Sequence, residues 1–115
     1  SKRGYTAVKD DSAYLKHILD SIYKIEKYTS VGKDIFFEQS HWQDAVIRQL
    51  EIIGEATKRL STAFRAQYTE IPWRQIAGLR DRLIHDYMNV NLKLVWKITQ
   101  TEILDLKMVI EEYLS

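Results

Sequence analysis

Residues 11–25 read Asp-Ser-Ala-Tyr-Leu-Lys-His-Ile-Leu-Asp-Ser-Ile-Tyr-Lys-Ile, and this stretch decides the fold class. Tyr14, Leu15, Ile18, Leu19, Ile22 and Ile25 recur at the spacing of one helix face. Asp10, Asp11 and Ser12 precede them, and their side-chain oxygens suit the free N–H groups of a helix start. A first helix over about 11–29 is therefore expected, ended by Gly32 and its neighbours.

The same period continues outward. Trp42, Ala45, Val46, Ile53, Ala56, Leu60 and Phe64 form the stripe of a second helix, which begins near 37–41 and runs to about 67. Thr69, Glu70, Ile71 and Pro72 make a turn. Pro72 fits the first position of a third helix, which reaches about Tyr87. After a break at 88–91, with Asn91 as cap, a fourth helix carries Leu94, Val95, Ile98, Leu106, Val109 and Tyr113. Leu92, Trp96, Ile103 and Leu104 lie off that stripe. The fourth helix is thus either central in the bundle or two-faced, with one side against a second chain. No segment alternates with period two, so the expectation is an all-α, antiparallel four-helix bundle. The whole chain, 1–115, reads as one domain, with 1–10 a loosely ordered N-terminal segment.

Bulk properties narrow the function. The 115 residues include 17 basic and 16 acidic side chains, for a net charge of +1. Near-neutral charge, with no helix of clustered basic residues, disfavours a DNA-binding regulator. No cysteine is present, which removes thiolate metal sites and disulfides and fits a reducing cytoplasm. No apolar run approaches the roughly 20 residues of a membrane span, and the first residues do not read as a secretory signal. His17 and His41 have no ligand-like spacing to His85, so neither a metal nor another cofactor is expected.

Chemistry concentrates in Gly78-Leu79-Arg80-Asp81-Arg82-Leu83-Ile84-His85-Asp86-Tyr87. On a helical wheel Trp73, Ile76, Ala77, Leu83, Ile84 and Tyr87 form an apolar arc, with Arg80 near its middle. A guanidinium there requires an anion or a water-filled cleft. Asp81 and His85 are neighbours at i,i+4, where a carboxylate orients an imidazole and raises its pKa. Gly78, on the same edge, leaves room for a backbone or a substrate. An arginine, a histidine and an acid suffice for RNA cleavage without metal, because RNA supplies its own 2′-hydroxyl nucleophile. Each residue also has a plainer role: Arg80 snorkelling to water, Asp81 and His85 as a rim pair, Tyr87 as core. Gly54, within Ile53-Gly54-Glu55-Ala56, points to close helix packing. Glu51 and Glu55 read as a solvated acidic pair.

Arg80, four residues, His85, one residue, Tyr87 resembles the Arg-x4-His-x-Tyr motif of HepT-like proteins in the HEPN superfamily. Ile53-Gly54-Glu55-Ala56 with Leu60, Ile71-Pro72-Trp73 and Ile76-Ala77-Gly78-Leu79-Arg80-Asp81 match that family in order and spacing. The likeness covers roughly residues 11–114. It implies a homodimer in which Arg80 and His85 of two copies form one composite ribonuclease site, supported by Asp81. It also implies a toxin–antitoxin pairing: an MNT-type nucleotidyltransferase antitoxin transfers AMP to Tyr87 and silences cleavage of the RNA substrate. On the wheel Arg80 and His85 are about 140° apart, which suits a groove lined from two chains. The rival class is an inactive interaction or nucleotide-binding subunit of a minimal nucleotidyltransferase. The intact Arg80, Asp81, His85 and Tyr87 favour the enzyme.

Overall fold

The computed structural model describes residues 10–83 and 90–115. Among them the chain forms eight helical segments: α1 (Ser12–Thr29), α2 (Lys33–Glu38), α3 (Ser40–Thr57), α4 (Thr62–Gln67), α5 (Trp73–Ala77), α6 (Leu79–Leu83), α7 (Leu92–Gln100) and α8 (Glu102–Leu114). The all-α class is as expected. The expected loose segment 1–10 falls outside the described residues, save for Asp10. No helix among the described residues is long and apolar enough to cross a membrane.

α3 is the spine, packing against α1, α2, α5, α6 and α7, while α8 lies on α1 and α7. Leu15, Ile18, Ile22 and Ile25 of α1 meet Val46, Leu50 and Ile53 of α3, and all seven are essentially wholly buried. Burial of each such side chain stabilises the fold by about 1.5–3 kcal/mol. The α1–α8 seam is closed on its polar side by Tyr23 donating to Glu111 at 2.6 Å and Lys107 to Glu26 at 2.6 Å.

Three of the four expected helices are divided. The second stops at Thr57 and resumes at Thr62, and the reason lies fifty residues upstream. Asp11 does not cap α1 with its side chain. Its carboxylate instead accepts from the Ser61 backbone N–H at 2.7 Å and from the Ser61 hydroxyl at 2.6 Å. Ser61 Oγ in turn accepts from the Phe64 N–H at 3.0 Å and so caps α4. At α1 the near cap is Asp10, whose Oδ1 accepts from the Ser12 N–H at 2.9 Å. The short α2, which the periodicity did not reveal, follows Gly32 at φ 96°, a left-handed conformation that glycine takes without strain.

The fourth helix breaks at Thr101 (φ −127°, ψ −84°). The break resets the helical phase. Ile103, off the stripe of a continuous helix, thereby joins Val95, Ile98, Leu106 and Ile110 in the core. Val109 is half-buried and Tyr113 is 42% exposed, its ring edge-on to Phe64 at 4.9 Å. Asn91 caps α7 as anticipated, its Oδ1 accepting from the Leu94 N–H at 3.0 Å.

Candidate active site

The described part of the third expected helix carries Arg80 and Asp81 of the motif. Ile71 is buried, and Pro72 sits at the cap rather than inside the helix. The Trp73 indole N–H donates to the carbonyls of Arg65 and Tyr68 at 3.0 and 2.9 Å, fastening the start of α5 to the end of α4. Gly54 then brings α5 and α6 down onto α3. A Cβ there would stand 3.1 Å from the Ile76 carbonyl oxygen and 3.4 Å from that of Ala77. The close packing expected of Gly54 is present.

The room expected at Gly78 is open in the described chain. A Cβ on it would meet only the Arg74 and Gln75 carbonyl oxygens, at 3.4 and 3.9 Å, in its own preceding turn. No other element of the described chain presses on it.

Arg80 differs from its expectation. It is exposed, not set within an apolar arc. The buried side chains are Ile76, Leu79 and Leu83, which span about 60° of the wheel, while Trp73 and Ala77 are half-buried. Among the described residues the buried side chains lie to the Leu79 side of Arg80, and Ile84 and Tyr87 of the expected arc lie outside the described residues. Asp81 is exposed as well. Arg82 reaches α8, where its guanidinium meets the two Glu102 carboxylate oxygens at 2.9 and 3.2 Å. His85 and Tyr87 lie outside the described residues, so their distances to Arg80 and Asp81 are not part of this geometry.

Arg80 opens into a cleft of about 600 Å³ lined by Tyr14 and His17 of α1, the Arg48, Glu51, Ile52, Glu55 and Ala56 stripe of α3, and Arg59 just beyond it. The acidic pair read as a solvated face is therefore one wall of a concave site. Glu55 accepts from the Lys58 ammonium at 2.8 Å. That bond holds its carboxyl below the usual value, with Arg80 and Arg59 adding weaker electrostatic pulls. Arg80 has no hydrogen bond or ion pair among the described residues, so its guanidinium is available to an anion. Arg48 was missed by the sequence reading; its i, i+3, i+7 spacing with Glu51 and Glu55 on α3 is the signal that could have found it. The apposition of α1, which adds Tyr14 and His17, is tertiary and left no local signal.

A profile of the family described as Ribonuclease HepT-like matches residues 18–113. The chain belongs to the HepT-like family of the HEPN superfamily. Over 98 residues it is 43% identical to the "Probable ribonuclease HepT" of Thermococcus cleftensis, covering 82% of this chain and 86% of that one. A "Putative RNase" of Caldanaerobacter subterraneus is 38% identical over 109 residues, 94% of this chain and 97% of that protein. A Methanocaldococcus jannaschii protein named "Gamma-glutamylcyclotransferase and putative RNase" is 49% identical over 100 residues. The match covers 86% of this HepT-like chain but only 45% of that longer protein. No solved structure matches the chain significantly.

Proposed function

We propose that this HepT-like protein is a cytoplasmic endoribonuclease toxin that acts without a metal, through a site composed from two copies of the chain. Arg80 is the observation that supports the reading most directly. It is exposed at a charged cleft, unpaired among the described residues, and five positions ahead of His85 in the family motif. An arginine so placed neutralises the phosphoryl oxygens as the 2′-oxygen attacks phosphorus and the bond to the 5′-oxygen breaks. One His85 takes the proton from the 2′-hydroxyl, and the second copy's equivalent delivers one to the departing 5′-oxygen. The products are a 2′,3′-cyclic phosphate and a 5′-hydroxyl. Asp81, four residues before His85, orients the ring.

Control runs through Tyr87. A nucleotidyltransferase antitoxin transfers AMP from ATP, forming a bond from the tyrosine oxygen to the α-phosphorus and releasing pyrophosphate. The new phosphodiester carries negative charge and competes with RNA phosphate for Arg80.

The purified protein tests this. Light scattering should give a dimer of the 13.6 kDa chain. RNA cleavage should persist in EDTA, leave cyclic phosphate ends, spare DNA, and be lost in His85→Ala. Cleavage abolished by chelation and restored by a divalent ion, or a strict monomer retaining full activity, overturns the mechanism. Mass spectrometry of the chain co-expressed with its antitoxin should find AMP on Tyr87. A silenced yet unmodified chain refutes that form of control.

A further inference from the structure

The cleft extends well past Arg80. On α3 its wall is Arg48, Glu51/Ile52 and Glu55/Ala56, a stripe at helical spacing, with Arg59 in the turn just beyond the helix end. At 1.5 Å per residue the stretch from Arg48 to Ala56 runs about 12 Å along the axis. That is longer than one phosphate requires. Arginines stand at both ends, two carboxylates stand between them, and the Tyr14 ring and His17 face them from α1. A trough built only to attract a polyanion has no use for central carboxylates.

The two carboxylates are not equivalent. Glu55 is exposed and bonded to Lys58. Glu51 is half-buried and has no hydrogen bond or ion pair among the described residues, so both its oxygens remain open as acceptors inside the cleft. An ionised carboxylate accepts only. Beside a single-stranded nucleic acid it rejects phosphate and selects a base edge that donates. Cytosine, adenine and guanine carry exocyclic amino groups, whereas uracil offers carbonyls and a single N–H.

We propose that this cleft is a nucleotide subsite of the ribonuclease: Arg48 holds an RNA phosphate next to the scissile one at Arg80, and Glu51 selects an amino-bearing base. The proposal rests on the ribonuclease reading above and gives that activity a sequence preference, with uracil disfavoured at one position flanking the cut.

Two measurements test it independently. Sequencing the ends from a randomised RNA pool should show uracil depleted at one fixed position beside the cut, and Glu51→Gln, which can also donate, should flatten that bias. An unbiased wild-type profile, or a bias unchanged in Glu51→Gln, overturns the assignment. Fluorescence anisotropy with a 2′-O-methyl oligonucleotide, which cannot be cleaved, reads the cleft without catalysis. Arg48→Ala should weaken binding about tenfold, the size of one charge-assisted hydrogen bond. Lys24→Ala on the outer surface of α1, which removes the same charge, should not. Equal affinity for wild type and Arg48→Ala rejects the subsite even if RNA is cut through Arg80. Oligonucleotide binding that depends on Arg48 in a chain that never cuts RNA retains the subsite and rejects the nuclease reading instead.

Discussion

Arg80 and Arg82 stand two residues apart on α6 and face different halves of the molecule. Arg82 is largely covered, its Nη1 donating to both carboxylate oxygens of Glu102 at the start of α8. Arg80 faces α3 and the cleft, with two carboxylates among its neighbours there and neither within ion-pair distance. The same chemical group thus serves as a fastening on one side of a helix and, on the other, is left without a partner among the described residues. What separates them is whether the fold supplies a matched carboxylate. Where it does, the charge belongs to the architecture; where it does not, the charge is left for a ligand.

Substitutions should keep the two roles apart, and the largest effect belongs to the open side. Arg80→Ala should lower RNA cleavage by about 10²–10³-fold, the usual cost of removing one preorganised donor to a developing oxyanion. Its melting temperature should stay near that of the parent, since an exposed side chain contributes little to stability. A melting temperature that falls with the activity would put Arg80 in the fold rather than the site.

Gly54→Val comes next and strikes both sides at once. Its branched side chain meets the Ile76 carbonyl oxygen, already 3.1 Å from an ideal Cβ, so α5 and α6 must shift away from α3. A loss of about 2–3 kcal/mol is expected from such overpacking, and cleavage should fall with it because Arg80 rides on α6. Thermal denaturation with a parallel cleavage assay measures the two. An unchanged melting temperature would mean that the seam is looser than its distances indicate.

Arg82→Ala is the smaller, purely architectural counterpart. Losing the partly screened Glu102 pair should cost about 1–2 kcal/mol. Cleavage per folded molecule should hold at temperatures where the variant is native. Loss of cleavage in a fully folded Arg82→Ala would erase the distinction between the two arginines.

Much of this was legible in the sequence because it is local. The α1 stripe, the Asn91 cap and the close approach at Gly54 follow from spacing, residue type and the rarity of glycine inside a helix. What was misread is tertiary. Asp11 looks like a helix cap and has the right neighbours for one, yet Ser61 claims both its oxygens, and no window of sequence links positions fifty residues apart. Arg80 was set inside the apolar arc because the wheel took Trp73, Ala77, Ile84 and Tyr87 as core; the first two are half-buried, Arg80 itself is exposed, and the last two lie outside the described residues. Glu51 and Glu55 passed for a solvated face since α1, which makes that face concave, is distant in the chain. The motif itself was readable by resemblance, but His85 and Tyr87 fall outside the described residues, so the sequence alone speaks for them.

Gly78→Ala gives the smallest change and tests a point the two arginines leave open. Gly78 joins α5 to α6 at φ −93°, ψ 17°, a conformation that alanine adopts without strain. Its added methyl would make ordinary contact with the Arg74 carbonyl at 3.4 Å. Replacing it should narrow the unfolded ensemble and raise stability by about 0.4–1 kcal/mol. In the isolated chain nothing else should change. Gly78 is nonetheless only two residues from Arg80, and its bare backbone leaves room for the RNA strand, or for the second copy of the proposed dimer, to come close. If cleavage and melting temperature both hold or rise, Gly78 is only a joint between two short helices. If stability rises while cleavage falls, the methyl has met something absent from the single chain, and the proposed composite site would extend across Gly78 as well as Arg80.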